Sequence, residues 1–132
     1  MPVADLPLAG VCVLELAQGV SGPFCGKLLA EFGAQVTKAE PPTYDQPDPE
    51  GSLLYLYLNT AKRSITLHVG CRAGMRLFEA LLQHADVVIS DHPAPTPAIV
   101  LPEHHVIHTC IRPFGLDGPH ADWPFAELTM QA

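Results

Sequence analysis

The sequence predicts an α/β layer fold with a mostly parallel sheet and helices on both faces. Three observations carry this. Short, nearly continuous apolar runs of β character recur along the chain. Segments with apolar residues at helical spacing alternate with them. Turn residues stand at the joints. At 132 residues the chain is one domain, residues 1–132, with no internal repeat.

The run Val11-Cys12-Val13-Leu14-Glu15-Leu16 predicts a strand covered on both sides. A turn of small residues follows, Ala17-Gln18-Gly19-Val20-Ser21-Gly22. Pro23 suits a first helical position, with Ser21 or Gly22 as cap. Phe24, Leu28, Leu29 and Phe32 keep helical spacing, and Gly33 is the stop. Gln35 to Glu40 predicts the next strand and completes a βαβ unit. Residues 41–52 read as a loop, because Pro41, Pro42, Pro47 and Pro49 oppose regular structure. Leu53–Leu58 fits helix or strand, with helix preferred. Arg63–His68 alternates as a strand, and Gly74–His84 is an amphipathic helix. Val87-Val88-Ile89 is a buried strand, followed by a second proline-rich loop. Val106–Ile111 is the last strand, and turn signals at Gly115, Gly118-Pro119 and Pro124 mark the tail.

Composition narrows the function. Apolar residues are 48% and charged residues 16%, which excludes a disordered or coiled-coil chain. Fourteen acids against seven bases argue against nucleic acid or an anionic membrane as a partner. No apolar run approaches the ~20 residues that span a bilayer, and no basic stretch precedes an apolar one at the start. The four cysteines form no CxxC pair and read as reduced thiols, so the expected location is the cytoplasm.

Parallel sheets bind ligands outside the carboxyl ends of their strands, which selects the loops at 17–23, 41–44, 90–97 and 112–120. The small-residue turn before Pro23 presents backbone N–H groups and a helix dipole, which favour a phosphate. Packing alone is the competing explanation of that turn. Its Gly19-Val20-Ser21-Gly22 spacing is neither G-x-G-x-x-G nor a P-loop, although Glu40 stands where a ribose-binding acid would. Lys62-Arg63 is the sole adjacent basic pair, open to phosphate binding or to capping a sheet edge. His104, His105 and His108 lack metal-ligand spacing, so no metal site is expected.

Several motifs, in order, resemble family III CoA-transferases, the CaiB/BaiF family, over nearly the whole chain. They are Leu8-Ala9-Gly10-Val11 with Val13-Leu14-Glu15, then Gly22-Pro23-Phe24-Cys25, then Leu28 to Pro42. Leu58-Asn59-Thr60-Ala61-Lys62-Arg63-Ser64-Ile65-Thr66-Leu67, Ala85-Asp86-Val87-Val88-Ile89 and Phe114 to Pro124 complete the series. The resemblance implies a Rossmann-like fold, incomplete here because family members are much longer, in chains that pair as interlocked dimers. It implies transfer of CoA between a thioester and a carboxylate, with acyl-CoA as substrate and no covalent cofactor. It places the acyl-carrying aspartate beyond Ala132, so no catalytic residue is expected in this stretch, and Asp117 and Asp122 do not match it. Ala126 stands near the catalytic pair of the racemase branch and argues against a racemase.

The resemblance maps CoA contacts onto Gln18, Gly19, Val20, Ser21 and Leu67. Asp91 and His92 replace an amide and an aromatic residue that face CoA in the family. Family bases after the Pro-Pro pair and after the Ala-Asp-Val-Val-Ile strand are missing, so weak CoA binding is expected. His92, with an ordinary pKa of ~6.5, would offset Asp91 as pH falls. Partners are then acyl-CoA and either a second copy of the chain or a missing carboxy-terminal segment. The alternative is a diverged, non-catalytic module that pairs with or regulates a catalytic chain. A nicotinamide-binding domain would rest on Glu40 alone.

Overall fold

The structure, a computed structural model, describes residues 6–42, 49–91, 106–121 and 123. Five strands form one sheet: β1 (Cys12–Glu15), β2 (Gln35–Glu40), β3 (Arg63–Thr66), β4 (Val87–Ser90) and β5 (Ile107–Cys110). Their order is β3-β2-β1-β4-β5 and every pairing is parallel. The helices are α1 (Ser21–Glu31), α2 (Pro49–Leu58) and α3 (Arg72–Gln83).

Alternation along the strands divides the core in two. Val13, Ala17, Val36 and Ile89 pack against Cys25, Leu29 and Ala30 of α1. Leu14, Ala39, Leu67 and Val88 face the other way, onto Phe78 and Leu82 of α3. Each large apolar side chain buried in this way contributes roughly 1.5–3 kcal/mol. A sheet covered on both faces is what the near-continuous apolar runs required.

The element bounds differ from the sequence expectation where local chemistry intervenes. Pro49 opens α2 at its first position, where its missing N–H is harmless, so the helix begins inside the expected loop. The α3 helix begins two residues early because Cys71 Sγ accepts the Gly74 N–H at 3.3 Å and acts as its cap. Neither Ser21 nor Gly22 caps α1. Val20 holds that position, and its side chain makes no capping bond. Gly33 does end α1: its φ of +102° is left-handed, and a Cβ there would lie 2.6 Å from Leu6 Cβ. The strand expected over Arg63–His68 ends at Thr66, although the Leu67 N–H still reaches Glu40 O at 2.7 Å.

The crevice at the carboxyl ends of β1 and β4

The first strand runs outward from the sheet centre, with β2 on one side and β4 on the other. Chain direction across the sheet reverses between β1 and β4, and a parallel sheet opens its ligand crevice at such a reversal. The turn after β1 and Asp91, directly after β4, meet at this reversal. Asp91 Oδ2 accepts the backbone N–H of Gln18 and that of Gly19, both at 2.7 Å. Seventy-odd residues of chain separate these partners, so the bonds tie the two segments together. Asp91 Oδ1 is buried and has no hydrogen-bond partner among the described residues.

Beneath the turn lies an ionic cluster that sequence reasoning missed. Glu15, the last residue of β1, is fully buried on the α1 side of the sheet. Lys38 stands opposite it in register on β2 and donates to Glu15 Oε1 at 2.9 Å. Lys62 donates to Glu15 Oε2 at 2.7 Å. Each lysine also donates to a backbone carbonyl of the turn or helix start: Lys38 to Ala17 O at 2.8 Å, Lys62 to Pro23 O at 2.7 Å. Lys62 also reaches Asn59 Oδ1 at 3.2 Å, so all three of its donors are engaged. Two ammonium groups and one carboxylate therefore clamp residues 17–23 from below.

That geometry decides what spacing left open for Lys62. Its side chain is 1% exposed and donor-saturated, a structural brace with no N–H left for a phosphate. Arg63, next to it, is exposed on the edge strand β3. Burial pushes the Lys62 ammonium below its ordinary value, although the Glu15 carboxylate opposes the shift. Burial also pushes the Cys25 thiol up, and Glu15 adds to that while Lys62 opposes it.

Two glycines let α1 approach this cluster. A Cβ on Gly22 would collide with Ala17 Cβ, and one on Gly26 with Glu15 Oε2. Their spacing of four residues puts both on the sheet-facing side of the helix. Next to Gly26, the buried Lys27 pairs with Glu31 and lies 4.8 Å over the Tyr57 ring, linking α1 to α2.

The remaining sequence candidates separate. Gln18, Gly19, Val20 and Ser21 lie in and just after the turn that follows β1, at the reversal described above. Leu67 is buried under α3, two strands away from β1, beside an open cleft of about 420 Å³ lined by Val69, Cys71, Arg72, Met75 and Arg76. His92, His104 and His105 lie outside the described residues. His108 Nε2 is 3.0 Å from Ser90 Oγ. Glu40 accepts from Tyr55 Oη at 2.9 and 3.0 Å and from Ser64 Oγ at 2.9 Å, so its carboxylate is already bound where a ribose would need it. In the tail, Arg112 holds Ala121 O at 2.5 Å, and the Phe114 and Trp123 rings meet edge-on at 6.1 Å.

Glu15 and Lys38 carried a signal in the sequence. A carboxylate inside an apolar strand run must find a cation or a set of donors when buried. The βαβ register that supplies Lys38 is a tertiary fact.

Comparison with known proteins places this architecture. The family model for CoA-transferase family III matches residues 8–132. Succinate--glutarate CoA-transferase of Agrobacterium fabrum is 31% identical over 99% of this chain and 38% of its own length. The beta subunit of succinyl-CoA--L-malate CoA-transferase of Chloroflexus aurantiacus is 40% identical over 63% of this chain and 22% of its own. A CaiB/BaiF family protein from Brucella suis superposes with a TM-score of 0.79 at 30% identity, covering 96% of this chain and 38% of that one. The chain thus spans between about a fifth and two-fifths of the length of these relatives. On the family match and the shared all-parallel fold, the chain belongs to CoA-transferase family III.

Proposed function

We propose that these residues form the CoA-binding amino-terminal portion of an acyl-CoA:carboxylate CoA-transferase. The observation that carries this reading is the crevice between β1 and β4, whose turn is clamped from below by Glu15, Lys38 and Lys62. A clamped turn meets its ligand in a preset shape, which lowers the ordering cost of binding. In this reading CoA lies along the carboxyl rim of the sheet, touching Gln18, Gly19, Val20, Ser21 and Asp91, with His92 beside them and Leu67 towards the adenine. The protein works in the cytoplasm without nucleic acid or membrane. Among the described residues, no helix is long and apolar enough to cross a membrane.

The chemistry belongs to a carboxylate supplied by chain outside these 132 residues. That carboxylate attacks the thioester carbonyl and forms a mixed anhydride as the CoA thiolate leaves. The present residues would hold CoA and orient it. They supply no acyl-accepting group, so an assay with a panel of acyl-CoA donors is expected to show no turnover by this chain alone. Turnover above background would place a nucleophile within it.

Calorimetric titration with CoA tests the binding role. Gly19→Val is expected to weaken CoA binding about tenfold or more, because a side chain there blocks close approach of the ligand to the turn. A Cβ at Gly19 already stands 3.4 Å from Asp91 Oδ2, and a branched side chain exceeds that space. Ser21→Ala removes a hydroxyl and leaves the backbone, so its effect is expected to stay within about threefold. Equal affinity of wild type and Gly19→Val would move the ligand off this turn.

The second reading, a non-catalytic module that pairs with or regulates a catalytic chain, is favoured by Asp91, whose charge opposes a polyanion. Both readings share an expected association. Phe24, Leu28 and Phe32 of α1 and Leu53 and Leu56 of α2 are between 39% and 71% exposed. Large exposed apolar patches mark partner surfaces. Light scattering at micromolar concentration is expected to report a homodimer, and a stable monomer would contradict it.

A further inference from the structure

Asp91 bridges the carboxyl end of β4 to the turn after β1. Its Oδ2 takes the Gln18 and Gly19 backbone donors, and both bonds are short at 2.7 Å. Charge-assisted bonds of this kind are about twice as strong as neutral ones. No side-chain cation bonds Asp91 among the described residues, so the turn itself is what holds this carboxylate. The setting suits an anion for a further reason. The clamp below the turn carries two ammonium groups against one carboxylate, a net positive charge whose donors end on Ala17 O and Pro23 O at either end of the turn. Asp91 brings this group of charges to balance.

We propose that Asp91 is the resident anion of the β1–α1 turn and a specificity-determining residue of the crevice. By occupying the Gln18 and Gly19 donors it keeps phosphate out and reserves the turn for a neutral part of the ligand. This deepens the CoA reading and rests on it only for the identity of that ligand. An external phosphate has to displace a tethered carboxylate whose effective concentration at the turn far exceeds its own. It meets electrostatic repulsion from that carboxylate as it approaches.

The test is an amide-resolved NMR titration of the 132-residue chain with inorganic phosphate, following the Gln18 and Gly19 N–H signals, alongside calorimetry with CoA. Asp91→Asn removes the charge but keeps an acceptor oxygen for the turn. Asp91→Ala vacates both donors. Phosphate affinity read at these two amides is expected to rise about tenfold or more in Asp91→Ala. Asp91→Asn is expected to fall between it and the wild type. Should Asp91→Ala lose its fold, Asp91→Asn against wild type still decides. Equal phosphate response in wild type and variants overturns the proposal, as does a strong response in the wild type alone. If the expected order appears while no form binds CoA, the inference stands and the CoA reading fails.

Discussion

Glu15→Ala is expected to destabilise the chain by about 3–5 kcal/mol, the cost of leaving buried charge without its partner. Two lysine ammonium groups lose their shared carboxylate in one step, because Lys38 and Lys62 each bond a different oxygen of Glu15. Lys38 is 2% exposed and the Lys62 side chain 1%, so water cannot replace what is lost. A domain of this size has a total stability of about 5–15 kcal/mol, so the loss is a large share of it. Lys62→Met should cost far less, about 1 kcal/mol, because Glu15 and Lys38 remain a neutral pair. The lowered Lys62 pKa points the same way. A depressed folded pKa contributes stability above the unfolded value of 10.5 and loses it as pH falls through the folded value. Charged Lys62 is therefore a net cost at neutral pH. Cys25 has the opposite sign: its raised pKa contributes stability that is complete below 9.0 and lost as pH rises through the folded value. Urea unfolding of the two variants at neutral pH checks the contrast. A Glu15→Ala loss under about 1 kcal/mol would show that the cluster does not hold the turn, and a Lys62→Met loss as large as that of Glu15→Ala would show that Lys62 is a net stabiliser and overturn the expected contrast.

Gly26→Ala is the second large effect expected, and here two forces oppose each other. Alanine favours a helix over glycine by about 1 kcal/mol. The new Cβ, however, collides with Glu15 Oε2 and lies 3.1 Å from Glu15 Cδ and 3.2 Å from Lys62 Nζ. The carboxylate cannot swing aside, since two lysines hold it and it has no exposed surface. The helix must lift or the clamp must break. Overpacking costs typically 1–3 kcal/mol and damage to the ion pairs adds to it, so packing wins with a net loss of about 2 kcal/mol. Gly115→Ala, outside the helices, is the control: its Cβ makes only ordinary contacts, 3.5 Å to Asp117 O and 4.0 Å to Asp117 N, so the change should stay within about 0.5 kcal/mol. Thermal melts of the pair decide. An unchanged or raised melting temperature for Gly26→Ala would mean that α1 does not seat on the Glu15 cluster.

Much of the architecture was legible because it depends on local pattern. The apolar runs at 11–16 and 87–89 announced buried strands, and the strand read at 35–40 completed the βαβ unit. Phe24, Leu28 and Leu29 announced α1, and Gly33 its end. The elements that shifted did so for reasons that periodicity does not carry. Pro49 opened a helix where a proline cluster suggested a loop, and the Cys71 sulfur served as a cap.

The candidate site divides along the same line. Residue order alone set a small-residue turn between the first strand and a helix, Glu15 within an apolar strand, and an acidic chain poor in bases. Their roles came from the packing of distant segments. Strand register set Lys38 against Glu15, and the return of the chain after α2 brought Lys62 to the same carboxylate. The placement of β4 beside β1 carried Asp91 onto the turn it closes. The physical reason is range. Helix and strand preferences act between near neighbours along the chain, whereas a buried charge must be met by whichever residues the fold brings within about 3 Å.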